Sequence, residues 1–169
     1  RRVLFRSTLL MVGPAGCANL VSGVTSQLAD DLAASILNSE DIDTVREGVP
    51  AYLLLIDSFL RGSPDSPDLL IAAATLNGSF SVLVGDEDRT KLLAAKALNY
   101  AEQAACAAGS RLCQLRDDDF QTLQNKVAAL DVAEVPIAYA LAVAWVGWIQ
   151  AYSDDWTAIG ELGKAKVLM

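Results

Sequence analysis

The sequence predicts an all-α fold in which antiparallel helix pairs form a tetratricopeptide-like α-solenoid. Three observations support it. Apolar residues recur at helical spacing, capping residues with glycine or proline separate the segments, and no stretch alternates apolar and polar residues as a half-buried strand does. Because 53% of the 169 residues are apolar and 20% are charged, the chain is globular rather than disordered.

Five helices are predicted before the segment that carries the tryptophans. A short turn that ends at Gly48 and Pro50 separates the first predicted helix from the second, and Pro64 and Pro67 lie in the connection after the second helix. Aspartates at the start of the fourth and fifth predicted helices are expected to act as N-caps. The predicted helices cover residues 22–38, 51–60, 68–84, 86–108 and 120–127.

The sixth predicted helix begins at Pro136 and is apolar on all faces from Ile137 to Ile149. It is shorter than the roughly 20 apolar residues that a membrane span needs, and Ser153, Asp154 and Asp155 follow closely. We therefore expect a buried core helix.

A degenerate repeat favours a solenoid over a closed helical bundle. Leu76 and Phe80, followed by Ala94, Leu98 and Ala101, resemble the second half of a tetratricopeptide unit, with Leu98 in the aromatic position. Any antiparallel helical array produces similar spacing, so the bundle remains the alternative. A solenoid would offer a concave binding surface.

The N-terminal segment is expected to lie outside the fold. Residues 1–7 have the composition of a cloning or assembly scar, and the apolar residues after them resemble the end of a bacterial lipoprotein signal. Ala15 and Gly16 supply the small residues that such a signal needs before a lipidated Cys17, although Pro14 weakens the motif. The domain prediction is therefore an adapter-like scar with a remnant of the lipoprotein signal in 1–16, and a helical repeat domain, incomplete at its C-terminus, in 17–169. The alternative is an ordinary cysteine after a short apolar strand.

The other two cysteines, Cys106 and Cys113, are seven residues apart, with Gly109 between them. In an oxidising compartment a break at Gly109 would let this loop fold back and join the sulfurs. The alternative is two buried free thiols. Neither cysteine has the spacing of a metal site.

Composition excludes several classes of function. The chain has no histidine, which removes histidine-based catalytic triads and histidine metal sites. A net charge of −8 gives no electrostatic footprint for nucleic acid or for an anionic membrane. We predict a non-enzymatic protein without cofactor or metal.

Several segments together resemble the T-component (TatT) family, which is associated with tripartite ATP-independent periplasmic (TRAP) transporters. The resemblance extends from about Cys17 to Met169. Its most specific part is Trp-Val-Gly-Trp-Ile-Gln-Ala-Tyr-Ser-Asp-Asp-Trp in 145–156. The other matching segments are Cys-Ala-Asn-Leu-Val-Ser-Gly from Cys17, Val-Pro-Ala-Tyr-Leu-Leu-Leu-Ile-Asp in 49–57, Lys-Ala-Leu-Asn-Tyr-Ala in 96–101 and Leu112-Cys113. It implies a lipid-anchored periplasmic protein built from cryptic tetratricopeptide-like repeats. It also implies a periplasmic solute-binding protein as partner, a hydrophobic small ligand, a ring-like homo-trimer with a channel through each subunit, and a chain that is C-terminally truncated at Met169.

The tryptophan segment allows two interpretations. In the functional one, its aromatic residues line an apolar ligand channel whose rim carries the two acids; the candidate pocket residues are Trp145, Trp148, Tyr152, Asp154, Asp155 and Trp156. In the structural one, the tryptophans pack the helix array and Ser153, Asp154 and Asp155 cap the next helix. Asp57, inside an apolar helix, is expected to contact Arg61 one turn later.

Two functions follow from these interpretations. The first is a T component that binds a partner and a ligand, and a cavity beside Trp145 and Trp148 would favour it. The alternative is a general tetratricopeptide-type scaffold for envelope protein assembly without a ligand pocket, favoured by a solid core with only an exposed groove. An enzyme would need Asp57, Lys96 and Asp154 in one cleft.

Overall fold

The first three helices pack on one another in sequence order, whereas the fourth packs on the last. A computed structural model describes residues 31, 34, 35 and 38–169. Within 38–169 the chain forms seven α-helices, two 3-10 turns (Leu115–Asp117 and Val132–Glu134) and no strand, which confirms the all-α prediction for this range. The helices are α1 (Ile42–Gly62), α2 (Pro67–Ser81), α3 (Glu87–Ala107), α4 (Phe120–Ala128), α5 (Val135–Ala151), α6 (Trp156–Gly160) and α7 (Leu162–Leu168).

The packing order is α1 on α2, α2 on α3 and α3 on α5, with α5 also touching α2 and α7. Short connections return the chain after α1 and α2, as in helix pairs. Whether these pairs repeat as a solenoid stays a prediction. The lipidation candidate Cys17 and most of the predicted helix 22–38 lie outside the described residues.

The predicted break at Gly48 and Pro50 is wrong. Helix α1 is capped by Asp41, whose Oδ1 accepts the Thr44 amide hydrogen at 3.0 Å, and it continues through both residues to Gly62. Its buried residues continue at helical spacing on both sides of Pro50. Because they pack against α2 as one surface, their burial outweighs the backbone hydrogen bond that proline cannot donate. They are Val45, Val49, Leu53, Ile56 and Leu60.

Helix α2 lies at the centre of the array. Small residues on it let its neighbours approach closely: a Cβ added at Gly78 would lie 3.6 Å from the Ala97 Cβ of α3. Asp86 caps α3 as predicted, because its Oδ1 accepts the Arg89 amide hydrogen at 2.8 Å. The α1–α2 side and the α3–α5–α7 side of the core meet at Ile71 and Tyr100, which touch both.

Helix α5 has one buried face and one exposed face. Ile137, Leu141, Trp145 and Ile149 lie at i, i+4, i+8 and i+12 and are buried in the α3–α5–α7 side of the core. Within the described residues, one stretch, Val132–Ala151, is long and apolar enough to cross a membrane by length and composition. The buried stripe makes it a core helix in this fold.

Candidate functional site

Trp145 is a core residue. Its side chain is 0% exposed, and its indole Nε1 donates a hydrogen bond to Glu161 Oε2 at 2.6 Å. Glu161 lies between α6 and α7, so this bond ties α5 to the C-terminal helices. The buried indole therefore satisfies its polar atom within the protein.

Arg116 completes this network and covers Trp148. Its guanidinium makes two hydrogen bonds to Glu161, from Nε at 2.8 Å and from Nη2 at 2.9 Å, and a third from Nη1 to Glu102 at 3.1 Å. The same group lies 4.7 Å from the centroid of the half-buried Trp148 ring. Such bidentate, stacked geometry suits arginine and not lysine. The network connects α3, α5 and the C-terminal helices, and its charges are paired.

Tyr152 and Asp154 continue this surface toward α3. The Tyr152 ring lies 5.3 Å from that of Trp148, and Lys91 lies over it at 5.7 Å. Lys91 Nζ also contacts Asp154 Oδ2 at 3.0 Å and Glu87 Oε1 at 2.9 Å. The hydrogen bond from Lys91 lowers the pKa of Asp154 below its usual value.

The last two candidates have separate roles. Asp155 is the N-cap of α6, because its side chain accepts the Thr157 amide hydrogen at 2.8 Å. Trp156, the first residue of α6, is 86% exposed. The structure thus does not bring the six candidates together around one hollow.

An open groove lies on the other side of α5. It has a volume of about 630 Å³ and lies between the end of α2, the exposed face of α5 and the end of α7. None of the six candidates lines it. Its walls include Gly78, Ser79, Ser81, Val82, Ala94, Ala97, Leu130, Val135, Ala138, Tyr139, Ala142, Val143, Ala144, Val146, Gly147, Gln150, Leu168 and Met169.

A second hollow of about 320 Å³ adjoins the first. Ser79 and Val82 line both, and the two hollows together are here called the α5 groove. The second part is formed by the start of α1 and the end of α2, through Ser39, Ile42, Val45, Val49, Phe80 and Leu83. No lining residue of either hollow is an aspartate, glutamate, lysine or arginine.

The groove residues on α5 were not singled out from the sequence. Val135, Tyr139 and Val143 lie at i, i+4 and i+8 and form one exposed stripe, with Tyr139 71% and Val143 53% exposed. The signal was present, since a helix that is apolar on every face leaves apolar surface wherever no neighbour covers it. Which face lacks a neighbour depends on tertiary packing and not on local pattern.

The residues considered for an enzyme split into two separate pairs. Asp57 accepts a hydrogen bond from Lys96 Nζ at 2.6 Å and another from the Tyr100 hydroxyl at 2.7 Å, whereas Asp154 pairs with Lys91. The expected contact of Asp57 with Arg61 is therefore wrong; the partners come from α3, which packs near α1. Burial and the Asp57 hydrogen bond raise the pKa of Tyr100 well above its usual value, which keeps the phenol protonated.

The cysteines Cys106 and Cys113 form a disulfide. It closes the turn after α3, in which Gly109 has a positive φ of 63°. The loop leads directly into the 3-10 turn that carries Arg116. The bond therefore borders the network that anchors the C-terminal helices.

Comparison with known proteins identifies the family. A family model, the TRAP transporter T-component (TAtT), matches residues 38–169, which include every residue that lines the α5 groove. The chain belongs to this family. No curated protein and no solved structure matches the chain. The family is one of transport components rather than of enzymes.

Proposed function

We propose that this T-component chain is a non-enzymatic periplasmic lipoprotein, anchored through Cys17, that binds a TRAP solute-binding protein and holds an apolar ligand in the α5 groove. Family membership supports the link to TRAP transport. The observation that carries the ligand part is the exposed, charge-free groove along a helix that is otherwise core.

The size and composition of the groove support a small ligand. Its larger part, at about 630 Å³, lies within the roughly 300–1,000 Å³ typical of ligand sites. Mostly apolar walls with a few neutral polar groups are also typical of such sites. Val82, Tyr139 and Val143 expose apolar surface to solvent in the free protein, so a ligand that covered them would be stabilised by the hydrophobic effect.

A scaffold for envelope protein assembly is the second candidate, and one specific observation favours it. The side of α5 that carries Trp145 packs as solid core, and the groove on the other side is open to solvent. An open apolar groove also accepts an amphipathic helix of another protein. The scaffold would bind a protein there and no small molecule.

Titration with Nile red, an uncharged fluorescent probe for apolar sites, separates the two candidates. We expect saturable binding of one probe per chain, with enhanced and blue-shifted emission. Emission that rises without saturation contradicts the ligand-binding function and leaves the scaffold function as the remaining candidate.

Partner binding needs its own measurement. The chain would be mixed with the solute-binding protein encoded beside it, and complex formation followed by sedimentation velocity. We expect a faster-sedimenting complex at micromolar concentrations. Absence of a TRAP solute-binding protein and permease from the neighbouring genes would argue against the transport role.

A further inference from the structure

Among the described residues, the walls of the α5 groove contain neutral polar side chains and no charged ones. The polar side chains that line its two parts are hydroxyls and one amide, from Ser39, Ser79, Ser81, Tyr139 and Gln150. The Ser81 hydroxyl already donates to the Gly78 carbonyl at 2.6 Å, which leaves its oxygen free to accept. These groups pair with a hydroxyl, ester or amide and carry no charge to balance an ion.

Among the described residues, two arginines lie near the smaller part of the groove: Arg46, and Arg89, whose guanidinium carbon is 5.7 Å from the centroid of the Phe80 ring. Arg46 donates from Nε to the carbonyl of Leu83, which lines the second part, and it also pairs with Asp43 at 3.6 Å. The start of α5 borders the groove, but the 3-10 turn before it is capped by the carboxylates of Asp131 and Glu134. Their negative charges offset the positive end of the helix dipole.

We infer that the larger part of the α5 groove selects an elongated apolar molecule whose polar end is uncharged, and discriminates against carboxylates such as fatty acids. This inference rests on the proposed function, because it concerns the ligand of the same groove. An ionised carboxylate placed on the walls of the larger part would lose hydration without gaining a cation there. An alcohol would keep a hydrogen-bond partner.

The shape of the groove supports an elongated ligand. Lining residues on α5 extend from Val135 to Gln150, which at about 1.5 Å per residue is roughly 22 Å along the helix. A compact polar solute would cover little of this apolar surface.

The test uses two competitors of equal chain length, decan-1-ol and decanoate, to displace Nile red at pH 8. For the native chain, decan-1-ol should displace the probe at a concentration at least about tenfold lower than decanoate. Equal displacement by the two overturns the inference while leaving the proposed function intact. No saturable binding of Nile red overturns both.

A variant that adds a cation to the groove tests whether the groove causes the preference for decan-1-ol over decanoate. Val143→Lys places an ammonium at an exposed position in the groove wall. It should shift the ratio of the displacing concentrations of decanoate and decan-1-ol about threefold or more in favour of decanoate. Val143→Gln controls for size and polarity, and Leu54→Lys adds the same charge at an exposed apolar position on α1 outside the groove. Both controls should keep the native ratio. A ratio unchanged in Val143→Lys, or changed equally in Leu54→Lys, contradicts the assigned site.

Light scattering on the same proteins tests the competing possibility that a second copy of the chain occupies the groove. Native chain and Val143→Lys should have the same mass in solution. A native oligomer that Val143→Lys dissociates would assign the groove to subunit contacts and overturn the inference.

Discussion

Trp145 and Trp156 are eleven residues apart and have opposite environments. Trp145 is fully buried with its indole hydrogen-bonded to Glu161, whereas Trp156 projects into solvent at the first turn of α6. Residue type alone does not distinguish a core tryptophan from a surface one. The difference lies in position, since Trp145 shares a helix face with Leu141 and Ile149.

Substitution of these two tryptophans should therefore have unequal effects on stability. Trp145→Ala removes a fully buried side chain and should lower the free energy of unfolding by about 3 to 5 kcal/mol. Trp156→Ala, the matched control, should change it by less than about 0.5 kcal/mol. Urea denaturation followed by circular dichroism measures both. Similar losses for the two would mean that Trp156 is buried by a partner or that Trp145 is not in the core.

Glu134 provides a prediction for acid stability. The hydrogen bond from the Ser110 hydroxyl, at 2.7 Å, is the largest cause that lowers its pKa below 4.5 in the folded protein. A lowered folded-state pKa adds stability that is fully present above the unfolded pKa and is lost as pH falls through the folded one. The stability difference between native chain and Glu134→Gln should thus be constant near pH 7 and shrink below about pH 4.5.

Urea midpoints from pH 7 to pH 3 measure this difference. Asp65→Asn, at an exposed carboxylate before α2, is the control and should show no such change. A difference between native chain and Glu134→Gln that stays constant down to pH 3 would contradict the role of the ionised carboxylate.

At the scale of elements, the disulfide fixes the turn between α3 and the 3-10 turn that carries Arg116. Because it closes a loop of seven-residue separation, its removal should reduce the free energy of unfolding by about 2 to 3 kcal/mol. The native chain should lose this stability when a reductant is added, and the double variant Cys106→Ser/Cys113→Ser should be insensitive to it. A native urea midpoint unchanged by reductant would show that the bond does not support the fold.

Most helices were predictable because their signals are local. The apolar spacing and the capping aspartates Asp86, Asp119 and Asp155 predict where α3, α4 and α6 begin. Gly48 and Pro50 misled the prediction for α1, because the face that packs on α2 decides whether a helix continues through a proline. Tertiary packing overrides local propensity at such positions.

The same reasoning applies to ion pairs. Asp57 was expected to bind Arg61 on its own helix, but Lys96 and Tyr100 from α3 donate hydrogen bonds to its carboxylate instead. Partners within one turn follow from sequence spacing. Partners 39 and 43 residues away do not, since they depend on how two helices meet.

On the scale of the whole molecule, the groove is formed by segments that are distant in sequence. The end of α2, the exposed face of α5 and the end of α7 each supply a wall, and Val82 lines both the larger hollow and the smaller one at the start of α1. The sequence indicated apolar surface in α5 but not the face that would stay uncovered. The sequence instead indicated the pocket candidates in 145–156. In the structure this segment connects α5 to neighbouring elements through contacts with Glu161, Arg116 and Lys91.

Helix α5 has two different faces. The face with Trp145 packs in the core, and the opposite face with Tyr139 and Val143 is exposed and belongs to the proposed ligand site. The disulfide and Arg116 stabilise the C-terminal helices, whose end forms part of the groove wall. Loss of the Arg116 network is therefore expected to affect the groove through α7.

Nuclear magnetic resonance mapping of the ligand site tests this central claim most directly. Decan-1-ol would be titrated into the 15N-labelled chain while backbone amide shifts are recorded. We predict that the largest shifts fall on residues 78–83 and 135–147, with little change at 152–156. Shifts concentrated around Trp148, Tyr152 and Trp156 would contradict the account and place the ligand on the opposite side of α5.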